Sequence, residues 1–299
     1  MTRKANVSVV QSGPLGEDKE ANVESVVEAI LQLKDTSPDF VVFPELATTP
    51  FFAIGLREPA YFELGEPVPG PTTEKIGKAA AEVGTHVLLP MFERGSLEGE
   101  YFNSAALIGR DGQVIHGTLP DGSTIKTYRK NYPGDYKWET GVTDEKYYFR
   151  VGSGYPTFDT DLGRVGILIC YDRWFPEGYR ILGLMGAEIV FVPVASSGFV
   201  GDLFIAGLRT HAAENAYYVV GCNKAGLEKV GSVEAHYYGQ SAIVGPRGQV
   251  LAQAADSDAD VISAELDLDA IAEQRRRLFV YRDRRPELYG PISQLGEVG

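Results

Sequence analysis

Cys170 closes the apolar run Arg164-Val-Gly-Ile-Leu-Ile-Cys170 and stands six residues before Pro176. A thiol at the turn from a buried strand into a helix is presented at a sheet edge, and the backbone N–H groups after it can point at a reacting oxygen. The next residues, Tyr171-Asp172-Arg173-Trp174-Phe175-Pro176-Glu177, are dense in polar and aromatic side chains that a plain turn does not need. The other cysteine, Cys222 in Tyr-Tyr-Val-Val-Gly-Cys, reads as a core residue. A thiol needs a base to become a nucleophilic thiolate. Histidine is scarce, with four in the whole chain, so a carboxylate or a lysine is left to serve. Glu45 ends the apolar run Val41-Val-Phe-Pro-Glu45, which places a carboxylate at a sheet end. Lys130, in Tyr128-Arg129-Lys130, falls in a long irregular stretch. Taken singly, each has an ordinary alternative: an inert buried cysteine, a solvated loop acid, an exposed lysine.

Other chemistries are excluded by pattern. No serine sits in a Gly-x-Ser-x-Gly elbow, because Gly239-Gln240-Ser241-Ala242-Ile243 lacks the last glycine. Gly77-Lys78 is followed by Ala79, so there is no phosphate-cradling P-loop. His86, His116, His211 and His236 have no metal-ligand spacing, and no metal or organic cofactor is expected. The net charge of −13 argues against nucleic-acid and anionic-membrane partners, which need clustered Lys and Arg. The basic start Met1-Thr-Arg-Lys4 is followed by too short an apolar stretch for a secretory signal, and no run is long enough to span a membrane. With two free cysteines, a cytoplasmic protein is expected.

The elements that must position these residues alternate. Strands are expected over 5–11, 39–43, 86–91, 164–170, 188–192, 217–223 and 260–266. Helices are expected over 21–34, 72–82, from Pro176, over 202–216 and over 267–278. Val23, Val26, Val27, Ile30 and Leu31 form one apolar helical face. Gly109-Arg-Asp-Gly112 and Gly245-Pro-Arg-Gly248 read as hairpin turns. The Tyr- and Gly-rich stretch 120–156 has little periodicity, and loops of that length are usually functional. Val41-Val-Phe-Pro44 is echoed by Val190-Phe-Val-Pro193, each after a helix, as two similar αβ halves would give. With 44% hydrophobic residues and no linker, the 299 residues read as a single α/β domain with mixed sheets.

The ordered set carries a resemblance. Phe-Pro-Glu after a strand, Tyr-Arg-Lys 85 residues on and Cys 40 residues further resemble the nitrilase superfamily of carbon–nitrogen hydrolases. Phe102-Asn-Ser-Ala105, Tyr238-Gly-Gln-Ser-Ala242 and the tail Arg282 to Tyr289 extend the likeness over nearly the whole chain. The resemblance implies a four-layer α-β-β-α sandwich. It implies Cys170 as nucleophile, Glu45 as general base, and Lys130 with the N–H of Tyr171 as oxyanion donors. Glu145 matches a second assisting carboxylate. A buried cluster of this kind is expected to let the thiol ionise near neutral pH.

Within the superfamily, Cys-x-Asp-x-Trp-Phe-Pro-Glu is similar to the N-carbamoylputrescine amidase branch. Asp172-Arg173 instead resembles the N-carbamoyl-amino-acid hydrolases, where arginine at that place binds the substrate carboxylate. The ordinary alternative for Arg173 is an ion pair with Asp172, Glu177 or a partner chain. Tyr132 stands where those enzymes tend to have His, and Trp174 where they have a second Arg. Tyr171, Arg173 and Trp174 are the expected substrate contacts, and the aromatic stretch 128–155 is expected to line a pocket mouth. The implied activity is release of ammonia from a small N-carbamoyl compound through a thioester. An aliphatic or omega-amidase, and a non-catalytic scaffold that keeps the fold, are the alternatives. A homo-oligomer is implied, with the tail from about 280 to 299 in subunit contacts; 273–287 carries six Arg against three acids.

Overall fold

A computed structural model describes residues 3–55, 57–138, 141–198, 200–256 and 258–294. Two mixed sheets face each other. The first runs in the order Asp260–Asp267, Lys4–Gln11, Phe40–Val42, His86–Arg94, Tyr101–Ile108 and Val114–Ile115, with Tyr128–Arg129 also paired to Tyr101–Ile108. The second runs Val250–Gln253, Ala242–Val244, Tyr218–Cys222, Ile189–Pro193, Gly163–Ile167, Thr157–Thr160, Gly117–Thr118 and Thr124–Ile125.

Strand alternation explains why the central strands are apolar on both faces. Phe40 and Val42 turn inward with Val7, Val9 and Leu88 to meet Ile167, Phe191 and Val220 of the opposite sheet. Phe40 and Phe191 meet there with ring centroids 5.5 Å apart. Val41, between them in sequence, turns outward with Val87 and Leu89 against Val23, Val26, Ile30, Ile76 and Ala80 of helices Lys19–Gln32 and Pro71–Val83. Helices Pro176–Leu184 and Gly201–Asn215 cover the second sheet through Tyr179, Leu182, Phe204 and Leu208. The result is the expected four-layer α-β-β-α sandwich.

The echo of Val41-Val-Phe-Pro44 in Val190-Phe-Val-Pro193 has a structural counterpart. Phe40–Val42 and Ile189–Pro193 are each the middle strand of a parallel trio. Each trio continues into an antiparallel strand and then a hairpin, one turning at Gly109–Gly112 and the other at Gly245–Gly248.

Three expectations need correction. The strand expected over 164–170 ends at Ile167, and Cys170–Trp174 forms a 3-10 turn. The stretch 120–156 is not structureless; it holds several two-residue strands and the short helix Glu145–Tyr148. Its residues 139 and 140 lie outside the described residues, as do 295–299 of the tail. The hairpin Ala225–Val230 with Val233–Tyr238 was not anticipated. Among the described residues, no helix is long and apolar enough to cross a membrane.

Candidate active site

Both parallel trios direct their chain ends to one place. Phe40–Val42 ends as the Phe43 N–H donates to Leu88 O (3.3 Å), and Pro44 then frees the chain for Glu45. Tyr128–Arg129 pairs with Tyr101–Ile108, Ser104 opposite Arg129, and the Lys130 N–H donates to Asn103 O at 2.8 Å. Buried Glu93 fixes this register, accepting from Ser104 Oγ (2.5 Å), Thr127 Oγ1 (2.7 Å) and the Arg129 guanidinium. Glu145 opens its helix, and its N–H donates to Gly134 O while its Oε2 accepts from the Gly134 N–H (3.2 and 2.9 Å).

These elements bring three charged side chains together in the interior. Lys130 Nζ donates to Glu45 Oε1 at 2.8 Å and to Glu145 Oε1 at 2.7 Å, and all three side chains are at most 1% exposed. Asn103 Nδ2 donates to the same Glu45 Oε1 (2.7 Å), and the Ala195 N–H donates to Oε2 (2.9 Å). Every contact fixes the orientation of Glu45. Burial works against the lysine's charge, but the Glu145 and Glu45 carboxylates overcome it, so Lys130 is held well above the ordinary lysine range. Burial, opposed by Lys130 and aided by Glu45, pushes Glu145 up to about 7.

Cys170 is buried, 3% exposed, with a left-handed backbone (φ +50°). Non-glycine residues adopt that conformation at a cost and do so most often where a site requires it. Asp172 holds the turn. Its carboxylate accepts from Tyr128 OH (2.5 Å), the Tyr132 N–H (2.9 Å) and the Ile169 N–H (3.0 Å). Burial, then the Glu45 charge, pushes the Cys170 thiol up to about 12 against the pull of Lys130 and Arg173. Burial thus works against the thiolate in the resting site, and a proton acceptor has to act as the thiol attacks. Cys222 is the core residue expected, its thiol donating to Val10 O (3.4 Å) and Val42 O (3.6 Å) between the sheets.

Among the described residues, Arg173 pairs with neither Asp172 nor Glu177. Its guanidinium donates to Cys170 O (3.0 Å) and Ser196 Oγ (3.0 Å) and approaches Cys170 Sγ at 3.7 Å. Asp172 is occupied elsewhere, and among the described residues no carboxylate pairs with Arg173. Tyr171 is half-buried between Tyr136 and Phe175, with centroids 5.1 and 5.5 Å away, and Tyr132 stacks on Phe175 at 3.7 Å. Of these, Tyr132 and Tyr136 come from the aromatic stretch 128–155. Trp174 is placed differently. It is 46% exposed and lines a cavity with Arg173, Tyr179, Phe204 and His211 whose walls do not include Cys170, Glu45 or Lys130.

Sequence reasoning missed Asn103, Ser196 and Asn223 as site residues. Asn223 accepts from the Ser196 N–H (2.9 Å) and donates to its C=O (3.1 Å), holding the hydroxyl that meets Arg173. Asn103 carried a signal, a polar pair with Ser104 inside an apolar strand, both 0% exposed.

Comparisons with known proteins give the family. The family model described as carbon-nitrogen hydrolase matches residues 6–276. An N-carbamoylputrescine amidase of Solanum lycopersicum is 31% identical over 292 residues, spanning 93% of this chain and 92% of that protein. A citrullinase of Francisella tularensis subsp. tularensis is 32% identical over 300 residues, spanning 96% and 98%. The crystal structure of a carbon-nitrogen hydrolase from Helicobacter pylori G27 superposes with a TM-score of 0.86 at 27% identity, covering 98% of this chain and 99% of that one. The chain belongs to the carbon–nitrogen hydrolase family of the nitrilase superfamily.

Proposed function

We propose that this protein hydrolyses the C–N bond of a small N-carbamoyl compound that bears a carboxylate, through a thioester on Cys170. One observation carries the substrate reading. Arg173 keeps a half-buried guanidinium 3.7 Å from the thiol sulfur with no carboxylate partner among the described residues. A desolvated, unpaired cation is costly, and an anionic substrate group relieves that cost when it binds. The ammonium of a carbamoyl diamine would meet the same guanidinium with like charge.

In the reaction, Cys170 Sγ attacks the ureido carbon while Glu45 takes the thiol proton. Lys130 and the Tyr171 N–H stabilise the developing oxyanion, each donor of this kind being worth about 3–4 kcal/mol. The C–N bond breaks, the proton passes to the departing nitrogen, and the acyl group stays on sulfur. Glu45 then takes a proton from water, the hydroxyl adds to the thioester, and the thiol is restored. The carbamic acid released loses carbon dioxide to give the amine. Glu145 holds the Lys130 ammonium in place through its 2.7 Å contact.

The test is ammonia release from carbamoyl-β-alanine, N-carbamoyl amino acids of both hands, carbamoylputrescine and simple amides, with wild type and Arg173→Ala side by side. Loss in the variant confined to the acidic substrates supports the reading. Preference for carbamoylputrescine, or a uniform loss on every substrate, refutes the role of Arg173. Turnover of plain amides with none of ureido compounds makes the protein an amidase.

A further inference from the structure

The described residues hold a second buried lysine–carboxylate pair, which the reaction above does not use. Lys224 Nζ donates to Glu228 Oε2 (3.0 Å) and to Thr49 O (3.2 Å), and both side chains are 0% exposed. Glu228 also accepts from the Phe51 N–H (2.8 Å), the Leu15 N–H (3.0 Å) and Tyr237 OH (3.2 Å). One carboxylate thus gathers the segment after the first strand, the turn that follows Glu45, and the 225–238 hairpin. Tyr237 in turn bridges Ser197, two residues beyond the Ala195 N–H that donates to Glu45 Oε2. Glu45 is gripped from both sides, downstream in its own chain at Thr49 and Phe51, and across the site through the hairpin and residues 195–197. A buried ion pair seldom adds stability over apolar residues of the same volume.

We propose that Lys224–Glu228 is a positioning clamp that holds Glu45 against Lys130 and the Cys170 thiol; neither member touches the reacting atoms. The proposal rests on the reading of Glu45 as general base. The double variant Lys224→Met with Glu228→Gln removes both charges together and leaves no buried ion unpaired. The folded fraction is measured by circular dichroism and a cooperative melt, so that kcat refers to folded enzyme. The clamp predicts a kcat lower by about 10–100-fold, the range for a base displaced by a fraction of an ångström to about 1 Å. KM changes little, and the acid limb of the kcat–pH profile is displaced. Lys224→Arg, which keeps the pair, restores most of kcat and the wild-type limb. Wild-type kcat and acid limb in a double variant with a lowered melting temperature would make the pair purely structural and overturn the proposal. If the double variant does not fold, Tyr237→Phe, which takes one donor from Glu228, is read the same way. A lowered kcat with a displaced limb supports the clamp, and no change in either overturns it. Glu45→Gln run alongside separates the two readings. Activity retained there sinks the general-base assignment; activity lost there but kept in the clamp variants sinks only the clamp.

Discussion

Replacing Glu145 by Gln keeps its shape and removes its charge, which makes it a sharp probe of the buried cluster. In the wild type, one Glu145 oxygen accepts from Lys130 Nζ at 2.7 Å and the other from the Gly134 N–H at 2.9 Å. A glutamine has one acceptor for those two donors, so its amide N–H₂ must face a donor. One charge-assisted hydrogen bond is lost, worth about 1.5–3 kcal/mol. Lys130 then has Glu45 as its single carboxylate partner, which draws the ammonium onto the base and away from the oxyanion. Misaiming one oxyanion donor costs about 100–1000-fold in kcat. The expected result is a kcat about 100-fold lower with KM nearly unchanged, and a melting temperature lowered by several degrees. The pH dependence adds an independent readout. Burial raises the folded carboxyl from the ordinary 4.5 to about 7, so between those values the folded state binds more protons than the unfolded one. Wild-type stability from this group therefore falls as pH rises through that window, and the variant's stability is flatter. Denaturant melts at a series of pH values and steady-state ammonia release supply both measurements. A variant with wild-type kcat and an unchanged stability–pH curve would show that Glu145 is a filler, and would refute the three-group reading of the cluster.

Asp172→Asn is expected to fold with a lowered melting temperature and to lose most activity, since its carboxylate anchors the Cys170 turn through three donors; normal turnover would refute that anchoring. Alkylation by iodoacetamide should select Cys170 over Cys222 and quicken steadily up to alkaline pH, because the thiol is held at about 12; a plateau near neutral pH would contradict this. Gly152→Ala should destabilise the fold and depress kcat, because a Cβ there would meet Arg129 O at 2.0 Å and displace the segment that carries Lys130; a neutral phenotype would count against that packing. Light scattering should give a homo-oligomer that weakens on removal of residues 280–299, given exposed Leu288 and Ile292 (both 61%) in that tail; a monomer in both cases would exclude it.

The parts of this protein that were legible in sequence are those governed by periodicity. Val23, Val26 and Ile30 marked a helix face, and all three are buried against the first sheet. Glu45 alone read as readily as a solvated loop acid, and it became legible only with Lys130 and Cys170 as an ordered set that carries the family resemblance. Cys170 was legible by its place, but its left-handed backbone was not, because that conformation is imposed by Asp172 folding back on Ile169 N–H. The hairpin 225–238 was hidden by inversion of the usual pattern. Leu227 is 45% exposed while Glu228 is 0% exposed, so alternation of hydrophobicity pointed nowhere. Asn223 fell at the end of the strand expected over 217–223 and Lys224 just past it, and neither showed its role because Ser196 lies 27 residues away and Thr49 175. Long-range polar contacts of that kind leave no local signature.

The central claim, a covalent intermediate on Cys170 formed with Glu45 as base, is tested most directly by acid-quenching the working enzyme on a good carbamoyl substrate and weighing the intact protein. The account predicts a transient mass increase equal to the transferred acyl group, mapped by digestion to Cys170. The adduct is absent in Cys170→Ala and accumulates far more slowly in Glu45→Gln. Undiminished ammonia release by Cys170→Ala, or an adduct formed at full rate in Glu45→Gln, would contradict it.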